Sequence, residues 1–283
     1  TEYRTVTNVS DVCIVDGGAK RGIKITRKLG ASTITQTVWF NDFSAQIDFE
    51  TEVDWHERHK MLKAAFPVDI TTDKATYDIQ FGSIERPAHK NTSWDEARFE
   101  VCAHKYADLS DGGYGVALMN DCKYGYDIHD GVMQLSLLRS PTDPNPEADQ
   151  GKHSFTYSLY LHEGTLRESD TVEKAYMLNI PMTAIEASGA SDKVPAEFSA
   201  VSIDSDHVAC ETVKQAEDGD GTVIRVYEYK NIRGKLEIAT ELPFEKAYLC
   251  DMLEREICTL PVVGGKIVCN IKGFEILTIK IKK

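Results

Sequence analysis

Nowhere in these 283 residues does an apolar run approach the roughly 18 side chains a spanning helix needs, so no helix here is long and apolar enough to cross a membrane. Basic residues are the scarce charge: 32 Lys and Arg stand against 45 Asp and Glu, a formal charge of −13. A phosphate backbone or an anionic bilayer attracts clustered cations, so nucleic acid and membrane are set aside as partners. The seven cysteines (13, 102, 122, 210, 250, 258 and 269) form no CxxC pair and no spacing of a zinc site. Reduced, mostly buried thiols in an intracellular, cytoplasmic protein are the expectation. Residues 1–10 lack the basic and apolar regions of a signal peptide, and no methionine starts the chain. Either something was removed or the chain is an excised piece of a longer polypeptide. Ser-His-Asp order, a glycine-rich phosphate loop and a redox pair are also missing. The composition excludes disorder, with 42% hydrophobic and 27% charged residues.

What is present is alternation. From Ala45 to Trp55 the odd positions read Ala, Ile, Phe, Thr, Val, Trp and the even ones Gln, Asp, Glu, Glu, Asp. Successive strand side chains point to opposite faces, so this segment has one buried and one wet face. The period recurs at Ala75-Tyr77-Ile79-Phe81, Phe99-Val101-Ala103, Met133-Leu135-Leu137 and Phe155-Tyr157-Leu159-Leu161. Short strands at this density predict an all-β, antiparallel sandwich protein. One short helix is expected over 171–179, where Asp170 and Glu173 are spaced as a capping box, and a helical turn at 94–97. Residues 141–146, with three prolines, read as a surface loop.

A boundary is expected near Ala187 to Pro195, where Ser, Gly, Ala and Asp supply a polar linker. It divides the chain into 1–190 and 191–283. The second part carries about seven short strands separated by glycine-rich turns, fitting a small immunoglobulin-like sandwich.

Three clusters invite chemistry. Trp55-His56-Glu57-Arg58-His59 has its histidines three apart after a strand, whereas a zincin needs them four apart on a helix, so metal binding is disfavoured. Glu85 to Asp95 is dense in polar groups and holds Trp94. It suits a sugar or partner surface, but a long loop with one buried Trp is the favoured reading. Asn120-Asp121-Cys122-Lys123-Tyr124-Gly125-Tyr126-Asp127 follows an apolar strand. Asp121 and Asp127 are open to two readings, a glycosidase carboxylate pair or turn residues gathered around Gly125, and the turn is favoured. Arg139 ends an apolar strand face and suits either a carboxylate partner, a sugar hydroxyl or a structural role.

The ordered blocks Glu85-Arg86-Pro87, His89 to Glu100, His104-Lys105, Tyr114 to Leu118, Asn120 to Asp127 and Leu135 to Pro141 resemble the C-terminal region of glycoside hydrolase family 38 α-mannosidases. The likeness runs over about 1–180 and is nearest the branch shared by bacterial and cytosolic or vacuolar enzymes. Tyr106 and Leu161 stand where that pattern would carry Trp and Pro. The resemblance implies retaining hydrolysis of terminal α-mannosides by an N-terminal barrel that holds the Asp nucleophile and a zinc ion, neither matched here. It implies that 1–190 is a large super-sandwich like that of galactose mutarotase, packed on the barrel. It also places Asn120, Asp121, Lys123, Tyr124, Tyr126, Asp127 and Arg139 along the substrate cleft, with the Tyr126 phenol on a mannose hydroxyl and Arg139 orienting a carboxylate. The expected partners are the barrel and an α-mannoside, with self-assembly into an oligomer as a further option. A stand-alone carbohydrate-binding module, using Trp94, Trp55 or Tyr124 as a stacking platform, is the rival reading, beside a purely structural sandwich.

Overall fold

The computed structural model describes residues 2–186, 195 and 197–283. The boundary expected near 187–195 falls, but for Pro195, outside the described residues. Contacts divide the chain into two compact units: Thr1–Ile79 with Ile84–Met182, and Gln80–Ser83 with Thr183–Lys283.

The first unit starts with β1 (Val9–Asp16), β2 (Lys20–Leu29), β3 (Ser32–Asn41), β4 (Gln46–Trp55), β5 (Leu62–Pro67), β6 (Lys74–Ile79) and β7 (Gly82–Pro87). It continues through α1 (Ser93–Glu96), β8 (Val101–Cys102), β9 (Tyr106–Ser110), β10 (Tyr114–Asn120), β11 (Gly125–His129), β12 (Val132–Leu138), β13 (Gly151–Glu163) and α2 (Thr171–Asn179). A nine-stranded sheet runs β1-β2-β3-β4-β13-β10-β9-β6-β7, and a four-stranded sheet runs β5-β12-β11-β8. Inward residues of both sheets, among them Val53, Trp55, Leu118, Tyr126, Met133, Leu135 and Phe155, form one core. Alternation works as expected in β4, where Thr51, Val53 and Trp55 are buried and Glu50 and Glu52 exposed. It stops early in β6: Phe81 takes a φ of 56° and leaves the strand. Phe99 likewise lies outside β8 and is 76% exposed.

α2 occupies the residues expected, but Asp170 makes no side-chain cap bond. Its carboxylate accepts instead from the Tyr160 hydroxyl. At α1 the cap is real: the Thr92 hydroxyl accepts from the Asp95 backbone N–H at 3.2 Å.

The second unit holds β14 (Val201–Ile203), β15 (Val208–Gln215), β16 (Thr222–Glu228), β17 (Gly234–Thr240), β18 (Lys246–Cys250), β19 (Glu256–Leu260), β20 (Val262–Val263), β21 (Lys266–Ile271) and β22 (Ile276–Lys282). Its sheets run β14-β17-β21-β20 and β15-β16-β22-β18-β19, closing over Ile224, Val226, Leu236, Ile238, Ile267 and Ile279. Two more strands appear than the seven expected, because β18 and β19 are short and only partly alternating. Both units are antiparallel β-sandwiches, so the protein is all-β with two small helices among the described residues.

The cysteine expectation needs correcting. All seven are free, but Cys13, Cys102, Cys122, Cys210 and Cys258 are exposed and only Cys250 is buried. Cys13 shows why: it sits on β1, an edge strand with exposed side chains on both faces.

Candidate functional site

β10 ends at Asn120 and β11 begins at Gly125, so residues 121–124 form a tight connection between the two sheets of the first unit. Asn120 is 1% exposed and every polar atom of it is used. Its amide donates to the His104 carbonyl at 2.9 Å and to the Tyr126 hydroxyl. Its side-chain oxygen accepts from the Lys123 backbone N–H, and its backbone carbonyl accepts from the Asn179 side chain at 2.9 Å. Tyr126 is wholly buried, edge-on to Tyr77, with its hydroxyl donating to the Leu118 carbonyl at 3.3 Å. Burial, before all else, pushes that phenol's pKa far up, so it stays protonated.

These two residues therefore do not reach a ligand. A Tyr126 phenol on a mannose hydroxyl is ruled out while the core stays closed, and Asn120 is likewise a brace. What they brace is the turn above them. The Asp121 backbone N–H donates to the Thr156 carbonyl and its carboxylate accepts from the Thr156 N–H at 2.9 Å, pinning the turn to β13. The Lys123 ammonium lies 4.4 Å from the centre of the Phe155 ring. The Tyr124 side chain is 55% exposed and meets His104 edge-on at 5.7 Å.

Arg139 follows β12 on the same rim, but not in the role expected. Its backbone N–H, with that of Ser140, donates to one Asp149 oxygen, each at 2.9 Å. The guanidinium itself is exposed and has no partner among the described residues. Burial works against the Asp149 carboxylate, but those two N–H bonds, helped by the charges of His153 and Lys123, hold its pKa below the usual carboxylate range. Asp149 and Ser140 went unnoticed in the sequence, since an Asp beside a proline-rich loop looks like any turn residue. Ser140 also accepts from the indole of the fully buried Trp55, so Trp55 offers no stacking platform.

Asp127 points elsewhere. It is the hub of a second polar cluster, with His129 Nδ1 at 2.9 Å, Lys90 at 3.5 Å and Lys63 at 3.8 Å. Asp121 and Asp127 thus serve different networks and are not arranged as a catalytic pair. Trp94, expected to be buried, is 79% exposed on α1. Among the described residues no three His, Cys, Asp or Glu side chains converge to hold a metal. His56 instead pairs with Asp54 at 2.9 Å.

Taken together, these features define an all-β sandwich region that presents a braced turn with polar and aromatic side chains at its edge. The chain belongs to glycosyl hydrolase family 38: residues 2–147 match the family's C-terminal domain and residues 207–279 its C-terminal beta sandwich domain. Alpha-mannosidase 2C1 of Homo sapiens is 44% identical over 227 residues, covering 79% of this chain and 22% of that protein. Alpha-mannosidase G of Dictyostelium discoideum is 42% identical over 255 residues, 89% of this chain and 24% of that protein. The alpha-mannosidase of Saccharomyces cerevisiae is 35% identical over 275 residues, 88% of this chain and 24% of that protein. The chain thus spans about a quarter of the length of these curated relatives. Among solved structures, an alpha-mannosidase from Enterococcus faecalis V583 superposes with a TM-score of 0.83 at 20% identity, covering 98% of this chain and 35% of that one. That likeness concerns the fold.

Proposed function

We propose that this chain is the C-terminal β-sandwich portion of a retaining α-mannosidase, packed on an N-terminal catalytic barrel whose cleft the 121–124 turn and Arg139 help to wall. The observation that carries this reading is the division of labour at the turn. Asn120, Tyr126 and the Asp121–Thr156 bonds hold it rigid from below, while at the rim the Arg139 guanidinium is exposed and the Tyr124 ring, edge-on to His104, stays half-exposed. Rigid backbone with free polar and aromatic ends suits recognition of a sugar, whose ring faces stack on aromatics and whose hydroxyls pair with charged donors. Asp121 and Lys123 contribute as turn-holding residues at the same rim.

The zinc that the resemblance places in the barrel finds no ligand set among the residues described here, so no residue of this chain is assigned to it. Seven free thiols, five of them exposed, favour a reducing, cytoplasmic setting.

The test compares the 283-residue chain with its full-length parent on p-nitrophenyl α-mannoside, with and without added zinc. Turnover is expected from the parent alone. In the parent, Arg139→Ala and Tyr124→Ala should each lower kcat/KM about tenfold, the scale of one lost charged hydrogen bond or stacking contact. Unchanged kinetics in both variants would show that the turn serves only packing. Turnover by the chain alone would overturn the reading.

A further inference from the structure

Beside the turn, and within the first unit, lies a second feature that the proposed function leaves unused. A small cavity of about 30 Å³ opens between β7, the α1 loop and β11, lined by Tyr77, Arg86, Lys90, Arg98, Glu100 and Asp127 among others. A volume of that order admits one or two water-sized bodies and excludes a sugar ring.

The charges around it do not cancel. Glu100 is taken by Lys63 at 2.8 Å and by the Ser136 hydroxyl. Asp127 is taken by His129, Lys90 and Lys63, and Asp95 by the Thr92 hydroxyl at 2.7 Å, with His89 at 3.9 Å and Arg98 at 4.0 Å. The lining itself sets Arg86, Lys90 and Arg98 against Asp95, Glu100 and Asp127; Lys63, behind the lining, adds a fourth fixed cation on Glu100 and Asp127, and Arg86 is the one without an ion-pair partner among the described residues. Its guanidinium lies 4.7 Å from the centre of the Tyr77 ring, and it makes no ion pair or hydrogen bond among the described residues. Its Nη1 is fully buried and unsatisfied. A buried guanidinium N–H without an acceptor costs more than almost any other polar group left unmade. Tyr77, on the same cavity and 2% exposed, has no hydrogen-bond partner for its hydroxyl among the described residues. Burial first of all raises its pKa to about 12, so the hydroxyl remains a donor at neutral pH.

We propose that this cavity is a binding site for one monovalent anion of halide size, held by the Arg86 guanidinium with the Tyr77 hydroxyl as second donor. Arg86 Nη1 lacks an acceptor, the Tyr77 side chain lines the same cavity, the Arg86 charge has no ion-pair partner among the described residues, and the space left matches a single small ion. A neutral water would satisfy the donors but leave the charge of Arg86 unbalanced.

Crystals of the 283-residue chain soaked in sodium bromide test this directly. An anomalous bromine peak within hydrogen-bond reach of Arg86 Nη1 is expected in the wild-type chain and absent in Arg86→Gln. A water without anomalous signal, or a peak of equal strength in Arg86→Gln, would overturn the proposal. In solution, replacing chloride by gluconate at fixed ionic strength should lower the thermal midpoint followed by circular dichroism. The apparent halide affinity should fall about tenfold in Tyr77→Phe and further in Arg86→Gln. A midpoint indifferent to chloride in the wild-type chain would count against a site that fills in solution.

Discussion

The side chains nearest the candidate site divide into those that are free and those that are consumed, and Tyr126 marks the division. Its phenol accepts from the Asn120 amide and donates to the Leu118 carbonyl inside the core. Tyr126→Phe keeps the ring and removes both bonds, so the first unit should lose about 1–2 kcal/mol. Trp39, Trp55 and Trp94 all lie in that unit, so urea unfolding followed by tryptophan fluorescence reads the loss. An unchanged midpoint would mean that the hydroxyl is no strut and that the turn is held by Asp121 and Thr156 alone. The sequence located this turn correctly but not the direction of its side chains. Asn120 and Tyr126 look as polar as Lys123 and Tyr124 until the register of β11 turns position 126 inward and position 127 outward. Arg139 shows the same limit, since its position was legible but the use of its backbone, rather than its guanidinium, to hold Asp149 was not.

Strands explain a buried pair that no local pattern announces. His162 on β13 and Asp108 on β9 are separated by β10, yet their Nε2 and Oδ2 atoms lie 2.7 Å apart. The imidazole reaches across because the residue beneath it is Gly115, paired with His162 in the ladder. A Cβ there would stand 2.3 Å from the ring. Burial alone would lower the imidazole's pKa, but the hydrogen bond and charge of Asp108 outweigh it, aided by the Glu163 carbonyl and the charge of Asp170 ahead of α2. The folded pKa therefore lies above the ordinary imidazole value of 6.5. With the folded value raised, the pair's contribution is fully present below 6.5 and is lost as pH rises through the folded pKa. The tryptophan-detected urea midpoint should accordingly fall as pH rises above about 6.5. Asp108→Asn should flatten that slope, and a slope of equal size in the variant would assign it to other groups. The apolar run of β10 and the alternation of β13 were readable from the sequence. The cross-strand pairing that brings positions 108 and 162 together depends on sheet order, which alternation does not encode.

At the scale of the molecule, each unit closes a core of its own, and the two sets of buried residues share no member. That both are sandwiches was legible from strand spacing, whereas a catalytic chemistry was not, because a region matching about a quarter of its relatives' length need carry no complete catalytic set. Separate cores predict separate cooperative transitions. The second unit contains no tryptophan, so its unfolding is followed by far-ultraviolet circular dichroism while fluorescence follows the first. Ile238 is the substitution to use: it is fully buried in β17, paired with Ile203 on one side and Ile267 on the other. Ile238→Ala removes buried methyl groups from between two neighbouring strands and should cost the second unit about 2–5 kcal/mol. The circular dichroism trace should then split, with an early step at lower urea and a second step coincident with fluorescence. A fluorescence midpoint that moves down together with the dichroism would show that the units unfold as one, and that the first unit draws part of its stability from the second.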